Sequence, residues 1–126
     1  MTCTATACAL ILTWFAQHPS YDASHREAIL TYMAHESHFQ QCVDVRSGGF
    51  LFQWAGVRRR WIKEKYAGVC PTVPSQLDFM DWELRTYWPH FFATPPQEAL
   101  AYFRYHFGQG RMEYEGQTER AARRKN

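Results

Sequence analysis

Glu36 and Gln53 are the residues whose types and surroundings suggest chemistry. Glu36 stands at the end of an apolar-periodic stretch, three residues beyond Met33. Gln53 stands inside the aromatic run Phe50-Leu51-Phe52-Gln53-Trp54. Glycoside cleavage needs a carboxyl group that can deliver a proton to the leaving oxygen. Sugar rings are held by aromatic faces, with amides and hydroxyls at their edges. The spacing puts Glu36 close to the buried face of its helix and near the negative pole of the helix dipole, and both effects favour a protonated acid. Asp44, in the loop that follows, is the best-placed second carboxylate, able to orient water as a general base. Phe52 and Trp54 are read as the platform and Gln53 as its amide. The Gly48-Gly49 pair permits close backbone approach. Tyr102, Tyr105 and Tyr114 are further candidates to touch the acid or the sugar, as is His38.

These parts need a scaffold, and the pattern predicts a mostly helical (α+β) fold, with about five or six helices packed around a small central β-hairpin or loop. Residues 7–18 read as a first helix stopped by Pro19. Ser24 and Glu27 read as a capping box opening a second helix that runs to Glu36 or Ser37, with Ile29, Leu30, Met33 and Ala34 facing inward. Residues 38–54 leave the helix. Val43-Asp44-Val45 and Phe50-Leu51-Phe52 flank a turn at Ser47-Gly48-Gly49, as in a hairpin or irregular loop. Helix returns over 56–66. Pro71 and Pro74 mark a loop, and Ser75 is expected to cap a helix over 76–88 with Leu77, Met80, Leu84, Tyr87 and Trp88 inward. Thr94-Pro95-Pro96-Gln97 is expected to cap the next helix, which buries Ala99, Leu100, Phe103 and Phe107 and ends at Gly108 and Gly110. A last polar helix is expected over 114–124.

Composition narrows the function. At 126 residues the chain is sized for one domain, 1–126. Its rings (nine Phe, seven Tyr, five Trp) suffice to line a groove as well as fill a core. A net charge of +2 is too small to argue for nucleic acid by itself, and no nucleic-acid partner is expected. The clusters Arg58-Arg59-Arg60 and Arg120, Arg123, Arg124 and Lys125 read as solvated faces or as attraction to an anionic polymer such as a bacterial wall. His35 and His38 straddle Glu36 without the i, i+4 spacing of a helical zinc site, and no CxxC spacing occurs. No metal or cofactor is therefore expected. Cys42 and Cys70 flank the central segment, where a bridge and free thiols both remain open, as they do for Cys3 and Cys8. The apolar run Ala5 to Ala16 is too short to span a bilayer and lacks the features of a signal peptide.

The ordered residues carry a family likeness. Ala34-His35-Glu36-Ser37-His38-Phe39, followed by Gly49-Phe50-Leu51-Phe52-Gln53-Trp54-Ala55-Gly56-Val57-Arg58-Arg59, resembles the phage tail lysozyme family. So do Gln76-Leu77-Asp78-Phe79, Trp82-Glu83-Leu84, and Thr94 with Glu98-Ala99 and Phe103 to Phe107. The likeness covers about residues 25–124. The family it resembles belongs to the lysozyme-like superfamily, beside goose-type lysozymes and soluble lytic transglycosylases. The resemblance implies cleavage of the β-1,4 bond between N-acetylmuramic acid and N-acetylglucosamine in bacterial peptidoglycan, in the periplasm or outside the cell, as a lysozyme or a lytic transglycosylase. Glu36 matches the family's acid and Gln53 its groove glutamine. A phage-tail or secretion assembly is an implied partner. A non-enzymatic glycan-binding or structural module is the alternative. The family places Gly where this chain has Phe50, and the larger side chain is expected to narrow the groove or shift the hairpin.

Overall fold

The computed structural model describes residues 6–111. The expected helix over 114–124, the basic cluster of Arg120, Arg123, Arg124 and Lys125, and Tyr114 lie outside the described residues. Among those described, the architecture is mostly helical, with one small antiparallel sheet. The order is α1 (Thr6–Ala16), α2 (Ala23–Ser37), β1 (Asp44–Val45), β2 (Gly48–Gly49), α3 (Gly56–Lys65), α4 (Val73–Tyr87) and α5 (Ala99–Phe103). A 3₁₀ segment, Pro89–Ala93, follows α4, and a second, Pro96–Glu98, precedes α5. A π-turn, Arg104–Gly108, continues α5. Among the described residues no helix is long and apolar enough to cross a membrane.

Helical periodicity identified the buried faces. Ile29 and Met33 of α2 are fully buried, as are Leu77, Met80 and Leu84 of α4, Trp88 after it, and Ala99 and Phe103 of α5. α2 packs on α5 and α1 on α4. Two phenol and indole handles tie α1 and the following turn to α4: Trp14 Nε1 donates to Asp78 at 2.9 Å and Tyr21 Oη donates to Asp81 at 2.6 Å.

The caps differ from expectation. Asp22, not Ser24, caps α2. Its carboxylate accepts from the His25 backbone N–H at 2.9 Å and from the Ser24 hydroxyl at 2.8 Å. A carboxylate can take several donors at once where a hydroxyl offers less, so the helix starts a residue before Ser24. The His25 backbone N–H, then the His25 ring and the Ser24 hydroxyl, hold the Asp22 carboxyl well below the usual range. Likewise Thr72 caps α4, accepting from Ser75 N at 3.2 Å, and Pro74 sits in the first turn instead of in the loop. Thr94 makes no cap. Its hydroxyl donates back to His90 O at 2.9 Å, and the chain enters α5 through 3₁₀ geometry.

The central hairpin is smaller than expected. Asp44 pairs with Gly49 and Val45 with Gly48. Phe50-Leu51-Phe52 form no strand. They belong to a second tight reversal, closed by reciprocal backbone bonds of 2.9 Å between Gly49 and Trp54. Phe50 and Gln53 occupy the left-handed region there, at φ 67° and 53°. This conformation suits glycine at position 50, and a phenylalanine holds it at a cost of about 1–3 kcal/mol. Phe50 is nevertheless buried, at 3% exposure, so ring burial offsets the strain.

A Cys42–Cys70 disulfide clamps both ends of the segment containing the hairpin and α3, with 28 residues of separation. No cysteine among the described residues is a free thiol. Closing a loop of that length stabilises by about 3–4 kcal/mol in the chain-entropy account. Cys42→Ser with Cys70→Ser is expected to lose about that much in urea unfolding. A loss below about 1 kcal/mol would mean that the hairpin segment is held mainly by its other contacts.

Candidate functional site

The end of α2 is locked to the Phe50–Trp54 reversal. Ser37 is buried, and its hydroxyl donates to Leu51 O at 2.7 Å, with Met33 O of its own helix at 3.1 Å. From the other side, Gln76 of α4 is fully buried. Its Oε1 accepts from Leu51 N at 2.9 Å, while its Nε2 donates to Gln41 O and Pro71 O. Both backbone groups of Leu51 are thus paired to side chains. This meets the requirement that buried backbone polar groups be hydrogen-bonded, and it fixes the turn on which Gln53 stands. Gly48 lies directly beneath Gln53. A Cβ there would sit 2.7–2.9 Å from Gln53 atoms, so only glycine fits. Gly49 tolerates one more easily, its closest neighbour being Asp44 Oδ1 at 3.2 Å.

Glu36, one residue before Ser37, is exposed. The periodicity had set it beside the apolar face. The structure instead gives that inward position to Ser37 and turns Glu36 to solvent. Its charge is still felt within the site. Tyr32, one turn earlier on α2, has its phenol pushed well up, first by burial and next by the nearby Glu36 carboxylate. Arg58 and Arg104 oppose this. Tyr32 Oη makes a long contact of 3.5 Å to Gly108 O, and its ring lies where a Cβ on Gly108 would be. Gly108 in turn lines a cleft of about 190 Å³ with Gln53, Ala55, Val57, Arg58, Gln109 and Gly110. Tyr32 and Gln53 thus both adjoin Gly108, and Gln53 is half-buried at the cleft wall, which Glu36 does not line.

Several expected site residues have other positions. Phe52 and Trp54 are both 1% exposed. Phe52 packs against Tyr32, Trp54 and Phe107. Trp54 packs against Phe79 and donates from Nε1 to Glu83 at 2.8 Å. Their faces are covered by other rings, so they support the reversal and offer no stacking surface. Asp44 is bound by α3, with Lys63 Nζ at 2.7 Å from Oδ2 and Arg59 at 3.4 Å from Oδ1. Its carboxylate pins the hairpin to that helix. His38 is exposed and closes α2 in the left-handed conformation, its N–H donating to Ala34 O. His35 accepts from Arg104 at 2.6 Å. Tyr105 is exposed with Arg111 over its face at 4.5 Å, and Tyr102 packs against the His106 ring at a tilt of 40°.

Sequence reasoning missed the charged core of the site. Glu83 is fully buried and takes Arg58 in a bidentate pair, Nε to Oε2 at 2.7 Å and Nη2 to Oε1 at 2.8 Å. Arg58 also donates to Phe107 O at 2.7 Å and stacks on the Phe107 and Trp88 rings, 4.6 and 5.3 Å from their centroids. Arg58 thus leaves the surface cluster in which it was read. Of that cluster, only Arg60 stays largely exposed. The missed signal was positional. Glu83 falls three residues after Met80 and one before Leu84, on the apolar stripe of α4, where a charge requires a partner.

Burial also raises the Tyr21 phenol, helped by its bond to Asp81. For both tyrosines the folded value exceeds the unfolded one. As pH rises past about 10, the unfolded chain releases protons that the folded one keeps, and stability is lost at up to about 1.4 kcal/mol per pH unit for each. The melting temperature is expected to fall between pH 9 and 11, and Tyr32→Phe should flatten that slope by close to one proton. An unchanged slope in the variant would contradict it.

Comparison with protein-family models, with curated proteins and with solved structures found no match.

Proposed function

We propose that this protein is a peptidoglycan glycosidase of the lysozyme-like kind, with Glu36 as the general acid. One observation carries the reading. The Ser37–Leu51 bond joins the helix end that bears Glu36 to the reversal that bears Gln53, in the order expected for an acid beside a substrate groove. The resemblance of the two motifs to phage tail lysozymes supplies the substrate, bacterial peptidoglycan. Glu36 would protonate the glycosidic oxygen as the bond to C1 breaks. Its carboxylate would then accept the proton of the attacking hydroxyl. Because Lys63 and Arg59 occupy Asp44, internal attack by the muramoyl 6-hydroxyl suits this chain better than a water guided by a second carboxylate. The Cys42–Cys70 bridge fits action on the wall in an oxidising compartment.

The exposure of Glu36 and the burial of Phe52 and Trp54 favour a second reading, a lysozyme-like module that binds the wall or builds part of a phage or secretion assembly without cutting glycan. Turbidity loss of purified peptidoglycan separates the two. Clearing by wild type and not by Glu36→Gln supports the enzyme. Co-sedimentation with the wall without clearing supports the module.

A further inference from the structure

A second cleft does not include Glu36 in its lining. It encloses about 720 Å³ and is lined by Lys65 and Tyr66 at the end of α3 and by Asp78, Phe79 and Trp82 of α4. It shares no lining residue with the cleft beside Gln53. Its volume falls in the range of small-ligand sites, about 300–1,000 Å³.

Trp82 dominates this surface. It is 47% exposed, whereas Trp14, Trp54 and Trp88 are at most 3% exposed. An indole half in water on the wall of a cleft leaves a polarisable aromatic face open to a ligand. The ring also has three aromatic neighbours. Phe79 lies 5.6 Å away, while Tyr87 at 5.8 Å and Trp61 at 6.5 Å meet it edge-on. Trp61 and Tyr87 stack on one another behind it. At the rim stand one cation and one anion. Lys65 lies over the Tyr66 ring at 5.8 Å, and Asp78 is held by Trp14 Nε1 through Oδ1. Tyr66 is fixed along the wall by its hydroxyl, which donates to Ser75 O at 3.3 Å.

We infer that this cleft is a second, non-catalytic saccharide site that takes a neutral pyranose chain. A rigid indole face matches the apolar C–H face of a pyranose ring, and a rim with one donor and one acceptor matches its equatorial hydroxyls. A polyphosphate would meet the Asp78 carboxylate, and a purely apolar partner would desolvate the Lys65 ammonium and the Asp78 carboxylate without offering either a new polar partner. The site would tether the protein to the glycan it works on. Only the choice of sugar rests on the glycosidase reading.

The test uses the full chain carrying Glu36→Gln, so that the probe is not consumed, titrated with the β-1,4-linked tetrasaccharide of N-acetylglucosamine. Tryptophan emission and calorimetry are read together. Trp82 is the most exposed described tryptophan, so saturable binding should shift the emission. Adding Trp82→Ala should remove that shift and weaken binding at this site about tenfold or more. Lys65→Ala, at an exposed position, should weaken it less with the fold intact. No saturable binding, or binding equal in the Trp82→Ala protein, overturns the inference. An emission change that follows protein concentration without sugar, with dimers in sedimentation, assigns the surface to self-association and also overturns it. If wild type proves unable to cut peptidoglycan while the Trp82-dependent binding persists, the glycosidase reading fails and this one stands.

Discussion

Glu83→Ala is expected to lower the stability of this protein by about 3–5 kcal/mol, enough to consume much of a typical domain's margin. Arg58→Ala should cost about as much. Each replacement strands its partner. Without Glu83, the Arg58 guanidinium keeps its bond to Phe107 O and its two aromatic neighbours but loses its counter-charge inside the core, and Trp54 Nε1 loses its acceptor. Without Arg58, a fully buried carboxylate remains with the Trp54 indole as its remaining donor among these contacts. Much of either loss is the penalty of the stranded charge, so the double replacement should cost well under the sum of the singles. A double-mutant cycle from urea unfolding reads this directly. Additive losses would show that the pair is not coupled as its geometry implies. The pair also touches the candidate site, because Arg58 lines the cleft beside Gln53 and holds the carbonyl next to Gly108. The variants should therefore lose activity as well as stability.

Glu36→Gln is expected to reduce peptidoglycan cleavage by about 10²–10⁴-fold, the usual worth of a positioned general acid. The amide is nearly the same size and cannot give up a proton in the same way. Because Glu36 is exposed, stability should change by no more than about 0.5 kcal/mol. That separation of activity from folding is what makes the variant informative. Asp44→Asn is the contrasting case. Its ion pairs with Lys63 and Arg59 lie near the surface and are worth about 0–1 kcal/mol. In this account Asp44 fixes the hairpin to α3, so cleavage should survive its neutralisation.

Much of the fold was legible in the sequence because helical periodicity is a strong signal. The stripes Ile29 and Met33, and Leu77, Met80 and Leu84, are buried as their spacing predicted. Helix starts were less legible. Asp22 and Thr72 each compete with a serine two or three residues on, and the choice turns on backbone geometry that a local pattern does not encode. The aromatic run at 50–54 misled for a related reason. A short apolar run has no periodicity to say which side is wet, and its burial is decided by distant partners: Glu83 for Trp54, Tyr32 and Phe107 for Phe52, Gln76 for Leu51. Of the candidate site, the adjacency of Glu36-Ser37 to the Gln53 reversal was legible in the ordered motifs. The outward turn of Glu36 was not, since a one-residue rotation about α2 separates it from the inward Ser37.

The glycosidase account is tested most directly by mass analysis of the muropeptides released from purified peptidoglycan by wild type and by Glu36→Gln. Soluble products ending in anhydro-muramoyl residues are expected from wild type, and their loss in the variant. Products with water added at the reducing end would keep the glycosidase and overturn the internal-attack route. Equal release by both proteins, or no glycan product from wild type, would contradict the assignment of Glu36 as the acid of a glycosidase.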